Sequence, residues 1–299
     1  MPHWEIVITG CGTSHGNPPW GYPEHWSDDP KDLRRRSGAL LKGPDGQVLL
    51  IDAGPDLMHQ MRDPYRDWTG PGYPVRCITR CDGLLLTHVH ADHSHGLNDL
   101  RHFNRLMHGA SIPIFGDAAH LEYLIGMFPY CFGDRDAIYH IGSPSLVAQP
   151  LPDGVATVLA GLAVVPFPMS HGMAGRSTGF RCGAMAYLTD LKELPPASEA
   201  LLGGLDLLVL DMLRDVPHPT HLSLTEALAI VARLAPRRTV LTHLGHEVQW
   251  RELSARLPPG VEAAYDGWHA PFSDGSDGRS RAGGPTAPAA VTPLVPTPR

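Results

Sequence analysis

The residues from Thr87 to His93 combine metal-binding side chains at a spacing that indicates a metal centre. Three imidazoles and one carboxylate lie within six positions, at His88, His90, Asp92 and His93. Such side chains are ligands for zinc, manganese or iron. The apolar run directly before them predicts a buried strand. We therefore expect a metal-dependent active site where a strand ends, which is a usual position in layered α/β proteins.

Further candidate ligands and supporting groups follow other apolar runs that predict strands. They are Asp52, His171, Asp190, Asp211 and His243. Strand ends on the same side of a sheet converge in space even when they are far apart in sequence. We therefore expect these side chains to join the histidine-rich motif at one edge of the sheets.

The number of good donors predicts two metal ions. The expected ligands are His88, His90, Asp92, His93, His171, Asp190 and His243. Two ions about 3.5–4 Å apart can share a carboxylate and a bridging hydroxide, which then acts as the nucleophile. Asp190 is the expected bridge because a carboxylate offers two oxygens. Asp52 is expected to orient a ligand imidazole through its free N–H.

Short apolar runs interleaved with helical segments predict a layered α/β fold. The runs cover residues 5–9, 37–41, 48–51, 112–115, 163–167, 184–188, 207–210 and 239–242. Residues 43–46 read Gly-Pro-Asp-Gly and predict a turn between two strands. Ser223 and Glu226 form a capping box, which predicts a helix that continues to about Leu234.

The composition changes near the C-terminus. We predict one hydrolase domain over residues 1–270 and a tail over residues 271–299. The tail consists mostly of Gly, Ala, Ser, Thr and Pro. Such a segment cannot bury enough apolar area to offset the entropy of ordering it, so we expect it to be disordered.

Charge, hydropathy and cysteine content narrow the class of protein. A formal net charge of −7 disfavours nucleic acid and anionic membranes as partners. No apolar run approaches the roughly 20 residues that span a bilayer, and no signal peptide is evident. The five cysteines include no Cys-x-x-Cys, which predicts packed thiols in a reducing compartment. We predict a cytoplasmic protein, and a homodimer is compatible with the sequence.

The sequence resembles the metallo-β-lactamase superfamily. The superfamily signature His-x-His-x-Asp-His matches residues 88–93, and its downstream His, Asp and His match His171, Asp190 and His243. Within the superfamily the chain is similar to the phosphodiesterase group of the C–P lyase pathway, which opens phosphoribosyl cyclic phosphate. The supporting segments are residues 10–16, 18–21, 51–54, 218–221, 241–246 and 265–267. Together the resemblance covers about residues 5–268.

The resemblance implies an αββα sandwich with a dinuclear site at one edge of the sheets. It assigns one metal to His88, His90 and His171, the second to Asp92, His93 and His243, and the bridge to Asp190. His221 matches a histidine that contacts the phosphate in this group, and it could protonate the departing oxygen because imidazole titrates near neutrality. We expect His221 and Asp92 to be catalytic. The alternative is that His221 only precedes the helix cap at Ser223.

One departure from this group concerns a separate structural zinc site. Members of the group often have several cysteines after the Trp-Gly dipeptide, which hold zinc together with a histidine like His246. Residues 20–26 of this chain contain no cysteine, so a thiolate site is absent. This difference leaves open the roles of His25 and His246 and the identity of the substrate.

The run Arg34-Arg35-Arg36 has two interpretations. Guanidinium groups pair with oxyanions in a bidentate fashion, so the run could bind a phosphate. A run of this kind more often forms a solvated face of the protein.

The leading functional hypothesis is a dinuclear metal phosphodiesterase that acts on a small or cyclic phosphodiester and uses zinc or manganese. A lactone, thioester or β-lactam hydrolase would use the same activated water. Processing of tRNA 3′ ends needs an RNA-binding element, which the sequence does not suggest. A non-catalytic metal sensor is disfavoured because each expected ligand position carries a metal-binding residue.

Overall fold

The structure is a computed structural model that describes residues 3–62, 78–133 and 142–275. The described residues form two sheets of seven strands each. The first sheet contains β1 (His3–Gly10), β2 (Gly38–Lys42), β3 (Val48–Ile51), β4 (Gly83–Leu85), β5 (Ile112–Gly116), β6 (Leu146–Pro150) and β14 (His269–Ser273). The second contains β7 (Thr157–Leu159), β8 (Leu162–Ser170), β9 (Arg176–Cys182), β10 (Met185–Leu188), β11 (Leu207–Asp211), β12 (Arg238–Thr242) and β13 (Val261–Ala263).

Both sheets are mixed and have related strand orders. The spatial orders are β14-β1-β2-β3-β4-β5-β6 and β13-β12-β11-β10-β9-β8-β7. Strands β3 to β6 are mutually parallel, as are β10 to β13, and the remaining pairs are antiparallel. Each predicted apolar run overlaps one of these strands, and β2 and β3 flank the predicted turn.

The α-helices of the described residues are short. They are α1 (Leu57–Arg62), α2 (Ala91–Ser94), α3 (Arg101–Leu106), α4 (Ala118–Met127), α5 (Pro129–Phe132), α6 (Pro196–Glu199), α7 (Leu224–Leu234) and α8 (Trp250–Arg256). Helix α7 begins at the predicted capping box, because the Ser223 and Glu226 side chains bond reciprocally to each other's backbone N–H groups. None of the helices described is long and apolar enough to cross a membrane.

Alternation of buried side chains divides the molecule into four layers. Ile6 and Ile8 of β1 face the core between the sheets, whereas Val7 packs on the outer face of the first sheet. Val209 of β11 likewise faces the core between the sheets, and Leu208 packs outside the second sheet. Helices cover both outer faces, so the predicted αββα sandwich is confirmed.

The C-terminal boundary differs from the expected one by a few residues. Residues 271–273 belong to β14 and pair with residues 3–5 of β1. These residues belong to the folded part because β14 completes the edge of the first sheet. Residues 276–299, which make up most of the predicted tail, lie outside the described residues.

The cysteines of the described residues are packed free thiols. They are Cys11, Cys81, Cys131 and Cys182, and each is buried. Burial raises the pKa of Cys81 to about 12 and that of Cys131 to about 11. Their thiols therefore remain protonated at neutral pH, as expected for packed cysteines. Cys77 lies outside the described residues.

Each guanidinium group of the arginine run pairs with a carboxylate of the same chain, a contact that neither sequence interpretation anticipated. Arg35 pairs with Asp266, and Arg36 makes a bidentate contact with Asp56. Arg34 is only 2% exposed and donates from Nη1 to Asp32 at 2.8 Å. The run therefore anchors the segment before β2. The interpretation as a solvated face is wrong for Arg34, which is buried, whereas the side chains of Arg35 and Arg36 are 34% and 33% exposed.

Arg34 also joins two loops that are distant in sequence. Its Nη2 donates to the carbonyl oxygens of Gly245 and Val248, at 3.0 and 2.8 Å. Its partner Asp32 accepts a further hydrogen bond from the Trp250 backbone N–H at 2.7 Å. The segment before β2 is thereby fixed to the segment after β12.

We expect Arg34→Met to lower the free energy of unfolding by about 3–5 kcal/mol, because it leaves the Asp32 carboxylate buried without its cation. Urea denaturation followed by tryptophan fluorescence measures this change. Arg237→Met is the matched control, since Arg237 pairs with Asp206 at the surface and should contribute at most about 1 kcal/mol. Equal losses in the two variants would contradict a structural role for the buried pair.

Candidate metal centre

The histidine-rich motif occupies the loop after β4 and the one-turn helix α2. His88, Asp92 and His93 are buried, whereas His90 is exposed. The Ser94 hydroxyl donates a hydrogen bond to the His90 carbonyl oxygen at 2.9 Å. This bond fixes the turn that separates the first two histidines from the carboxylate and the third histidine.

The segment after β3 packs directly against this turn. The Ala53 backbone N–H donates to the His93 carbonyl oxygen at 2.8 Å. A Cβ atom at Gly54 would lie 1.9 Å from the Asp92 carbonyl oxygen, so only glycine permits this approach. The two strand ends of the first sheet are thus held together at the motif.

Three of the expected site residues have left-handed backbone conformations. The φ angles of Asp52, Asp190 and His243 are 63°, 56° and 60°. Asp52 and His243 lie immediately after a strand, and Asp190 lies two residues after one. Positive φ is unfavourable for residues other than glycine, and it persists where the surrounding structure determines it, often at functional sites.

The Asp190 carboxylate lies at the middle of the histidines. Its Oδ1 is 3.7 Å from His88 Nε2 and 3.3 Å from His171 Nε2. Its Oδ2 is 3.1 Å from His93 Nε2 and 3.5 Å from His243 Nδ1. One oxygen therefore faces each half of the cluster, which is the geometry that a bridging carboxylate requires.

Three groups of potential ligands each have donor atoms within 4.8 Å of one another, and the third, Asp190, His221 and His243, shares a residue with each of the other two. The first group contains His88, His90, His171 and Asp190, and the second contains Asp92, His93 and His243. The structure thus brings together all seven residues expected from the sequence. The first and second groups each combine residues of both sheets, because residues 88–93 follow β4 whereas the others follow β8, β10 and β12.

The electrostatic state of the histidines suits a metal cation. Burial lowers the pKa values of His88, His171 and His243, so these imidazoles are neutral and their lone pairs are available. The Nε2 atom of His88 is buried without a hydrogen-bond partner among the described residues. Burial raises the pKa of Asp190, but the neighbouring histidines outweigh it and lower the value well below the usual range. Burial lowers the pKa of His93, but Asp190, Asp92 and Asp52 outweigh it and raise the value well above the usual range.

Asp52 supports the motif from the opposite side. Its carboxylate accepts hydrogen bonds from the Thr87 backbone N–H and hydroxyl, both at 2.8 Å. It also lies 2.7 Å from His93 Nδ1, which leaves Nε2 of that ring directed at Asp190. This is the contact expected of a carboxylate that orients a ligand imidazole.

His221 lies beside the cluster and is held by a carboxylate of β11. Its Nδ1 is 3.3 Å from both oxygens of Asp211, and its Nε2 is 3.9 Å from Asp190 Oδ1. Burial lowers the pKa of His221, but the adjacent Asp211 outweighs it and raises the value above the usual range. Sequence reasoning found both residues separately but missed this pairing.

A close backbone contact positions His221 and Asp211 near His171. A Cβ atom at Gly172, whose φ is +60°, would lie 2.1 Å from the Pro219 carbonyl oxygen. Next to it, the His171 ring contacts the Thr220 carbonyl oxygen through Nδ1 at 2.8 Å. The loop that carries His221 is therefore packed on the turn that carries His171.

The cluster forms the floor of a cavity of about 380 Å³. This volume suits a small-molecule ligand. The outer wall includes residues that the sequence did not single out for the site: His15, Arg214, His218 and Glu247. His15 and His218 lie within two of the segments that carried the resemblance, whereas Arg214 and Glu247 lie outside them. The four residues come from three loops that meet only in the folded chain.

His25 and His246 contact each other at the rim of this cavity. Their ring centroids are 4.7 Å apart, and Tyr22 lies 5.4 Å from the His246 ring. Neither histidine belongs to a cluster with metal-binding geometry among the described residues. In this chain the two histidines therefore form an aromatic contact with Tyr22 at the rim.

Comparison with known proteins agrees with this geometry. A family model described as a β-lactamase superfamily domain matches residues 47–244. A crystal structure of a diphosphatase from the PhnP family is 33% identical, covers 90% of this chain and 98% of its own, and superposes with a TM-score of 0.76. The chain belongs to the metallo-β-lactamase superfamily of hydrolases. Within that superfamily it resembles the PhnP family, which confirms the expectation from the sequence motifs.

Two curated relatives carry different names. An octanoyltransferase of Porphyromonas gingivalis is 28% identical over 268 residues, which cover 88% of this chain and 51% of the relative. The chain therefore spans about half the length of that protein. A ribonuclease Z of Mycobacterium marinum is 27% identical over 256 residues, which cover 75% of this chain and 88% of the relative.

We expect His90→Ala to lower the amount of zinc or manganese that the protein retains after loading and desalting, because it removes one donor of the first group. Atomic emission spectrometry measures the metal content. His102→Ala is the matched control, since His102 is an exposed histidine of α3 outside both groups. Unchanged metal content in His90→Ala would argue against this ligand.

We expect Asp52→Asn to weaken metal binding about 10- to 100-fold without removing a donor, because His93 loses the carboxylate that orients it. Competition with a metal-binding indicator measures the affinity. A fold control is the far-ultraviolet circular dichroism spectrum, which should be unchanged. Wild-type affinity in this variant would show that the Asp52–His93 contact does not position a ligand.

Proposed function

We propose that the chain is a metal-dependent phosphodiesterase that cleaves a small or cyclic phosphodiester. The observation that carries the proposal is the position of the Asp190 carboxylate, which presents one oxygen to each of two donor groups. We assign His88, His90 and His171 to one divalent cation and Asp92, His93 and His243 to another, with Asp190 between them. Zinc and manganese both accept such imidazole and carboxylate ligands.

Two bound cations would supply an acidified water and would neutralise charge on the phosphate oxygens. The residues of the chain provide the remaining functions. The buried donors hold the site in a fixed geometry, and Asp52 keeps the His93 ring in one orientation. The cavity restricts access to a ligand of small size.

His221 is proposed to act as the general acid. Its Nδ1 faces Asp211, so the proton on Nε2 is directed at the cluster. The raised pKa favours the imidazolium form near neutral pH, which can give its proton to the departing oxygen. Asp211 retains the negative charge that stabilises the imidazolium while the proton is in place.

The PhnP-family diphosphatase supports phosphate chemistry, since its name indicates cleavage at a phosphorus–oxygen bond. Phosphoribosyl cyclic phosphate, the substrate of the resembling group, is a small cyclic phosphodiester that the cavity volume could accommodate. Hydrolysis of a lactone or a thioester is the alternative activity that the assay can reveal, because the same acidified water would also attack a carbonyl carbon.

The first test compares two phosphodiesters that differ in their leaving groups. Bis(p-nitrophenyl) phosphate releases a phenolate that needs little protonation, whereas a nucleoside 2′,3′-cyclic phosphate releases an alkoxide that needs a proton. We expect turnover of both by protein loaded with manganese or zinc. We expect His221→Ala to lower kcat about 10²- to 10⁴-fold for the cyclic ester and much less for the nitrophenyl ester.

The control is again His102→Ala, and the metal content of each variant is measured in parallel. Equal losses of kcat on both esters, with metal retained, would contradict the general-acid assignment. Loss of metal from His221→Ala would make His221 a ligand instead. No turnover of either ester by fully loaded protein, with turnover of a lactone or thioester, would overturn the phosphodiesterase proposal.

A second candidate function is endonucleolytic processing of tRNA 3′ ends, which the similarity to ribonuclease Z favours. The bond cleaved would again be a phosphodiester at the same cluster. The net charge of −7 argues against a long electrostatic contact with RNA. Cleavage of a precursor tRNA at low enzyme concentration, lost in His90→Ala, would support this function.

A further inference from the structure

The third group of potential ligands, which the proposed function does not use as a metal site, consists of Asp190, His221 and His243. Its donor atoms all lie within 4.8 Å of one another. His221 Nε2 is 3.9 Å from Asp190 Oδ1, and His243 Nδ1 is 3.5 Å from Asp190 Oδ2. The ligand atoms of a four-coordinate zinc ion lie about 3.3–3.6 Å apart, since each is about 2.0–2.2 Å from the metal. The observed separations are close to that spacing, so the three side chains could share one ion.

The two imidazole rings of this group lie side by side. Their centroids are 4.8 Å apart, and the ring planes differ by 19°. The side chains of His221, His243 and Asp190 are 11%, 1% and 3% exposed. Two imidazoles and one carboxylate are a donor set that suits zinc, and the fourth position of such a site is open to water.

The contact between His221 and Asp211 is one that metal-binding histidines make. A histidine that binds a metal usually donates its other ring N–H to a carboxylate or a carbonyl oxygen. His221 Nδ1 lies 3.3 Å from both oxygens of Asp211, just as His93 Nδ1 lies 2.7 Å from Asp52. Asp211 is itself fixed, because its Oδ2 accepts a hydrogen bond from the Leu222 backbone N–H at 3.1 Å. His221 is therefore oriented in the same way as the expected ligand His93.

The third group is directly accessible from the cavity. All three of its residues line the cavity, whereas His93 is not among the described residues that line it. The side chain of His93 is fully buried, and that of His221 is 11% exposed. A cation that enters through the cavity can therefore reach the third group without passing His93.

We propose that Asp190, His221 and His243 form an alternative position for the cation assigned to Asp92, His93 and His243. This inference goes beyond the proposed function, because it gives His221 a role other than proton transfer. The two positions share His243, so a cation bound through this imidazole occupies one or the other. A cation at the alternative position binds His221 Nε2, the atom that carries the proton in the proposed cleavage. The protein would then hold metal in a form that lacks its proposed general acid.

The experiment counts bound cations, so that it does not depend on turnover. Asp92→Ala removes the carboxylate of the second donor group and leaves the alternative position complete. Each protein is dialysed to equilibrium against the same free zinc concentration, and atomic emission spectrometry measures the zinc bound. We expect the wild type and Asp92→Ala to hold two zinc ions, and Asp92→Ala/His221→Ala to hold one. His221→Ala alone should hold two, because the second donor group is intact.

The matched control is Asp92→Ala/His218→Ala, which should hold two zinc ions. The His218 ring centroid lies 5.5 Å from that of His221, but His218 is outside the donor groups of the described residues. A second variant, Asp92→Ala/Asp211→Asn, keeps the His221 ring and removes the charge that orients it. It should bind the second zinc ion about 10- to 100-fold more weakly than Asp92→Ala. Far-ultraviolet circular dichroism checks the fold of every variant.

Four results would overturn the alternative position. They are one zinc ion in Asp92→Ala, two in Asp92→Ala/His221→Ala, an equal loss in the His218 control, and unchanged affinity in the Asp211 variant. A wild type that holds a single zinc ion would contradict the two-cation assignment and the alternative position together. The expected zinc counts in a protein that hydrolyses no phosphodiester would disprove the proposed activity and leave the alternative position standing.

Discussion

The buried carboxylate of Asp190 is the group on which the rest of the site depends. Burial opposes its ionisation, and only the surrounding imidazoles keep it charged. Burial lowers the pKa values of three of them, His88, His171 and His243, whereas the surrounding carboxylates raise the pKa of His93. A cluster of carboxylates and imidazole nitrogens is complementary to cations. The four-layer sandwich therefore holds these carboxylates and imidazoles in an arrangement that packing would not favour in the absence of a metal.

The strand ends that surround Asp190 show how the fold produces this arrangement. Left-handed residues end β3 and β12 at Asp52 and His243, and Asp190 has the same conformation after β10. Such residues are costly for non-glycine side chains. Their recurrence at one edge of the sheets indicates that the local backbone is determined by packing of neighbouring loops, such as the approach of Gly54 to Asp92.

Sequence reasoning was accurate where the information is local. The apolar run of β1 and the capping box before α7 depend on residues a few positions apart, and the histidine-rich motif has a fixed short spacing. The sequence did not reveal the contacts of Arg34 with Asp32, Gly245 and Val248, because a run of arginines gives no sign of burial. The pairing of Asp211 with His221 and the position of Arg214 likewise depend on how the loops after separate strands meet.

The origin of the donors in both sheets has a consequence for the lifetime of the protein in a cell. Each donor group joins residues that follow β4 of the first sheet to residues of the second. A cation bound to either group would be a non-covalent cross-link between the halves of the sandwich, and it would add about 4 kcal/mol to the free energy of unfolding at a thousandfold excess over its Kd. We therefore expect a chain without metal to separate its sheets more often and to expose the apolar layer between them. Scarcity of metal would thus lower the amount of the protein through proteolysis and would also remove its proposed activity.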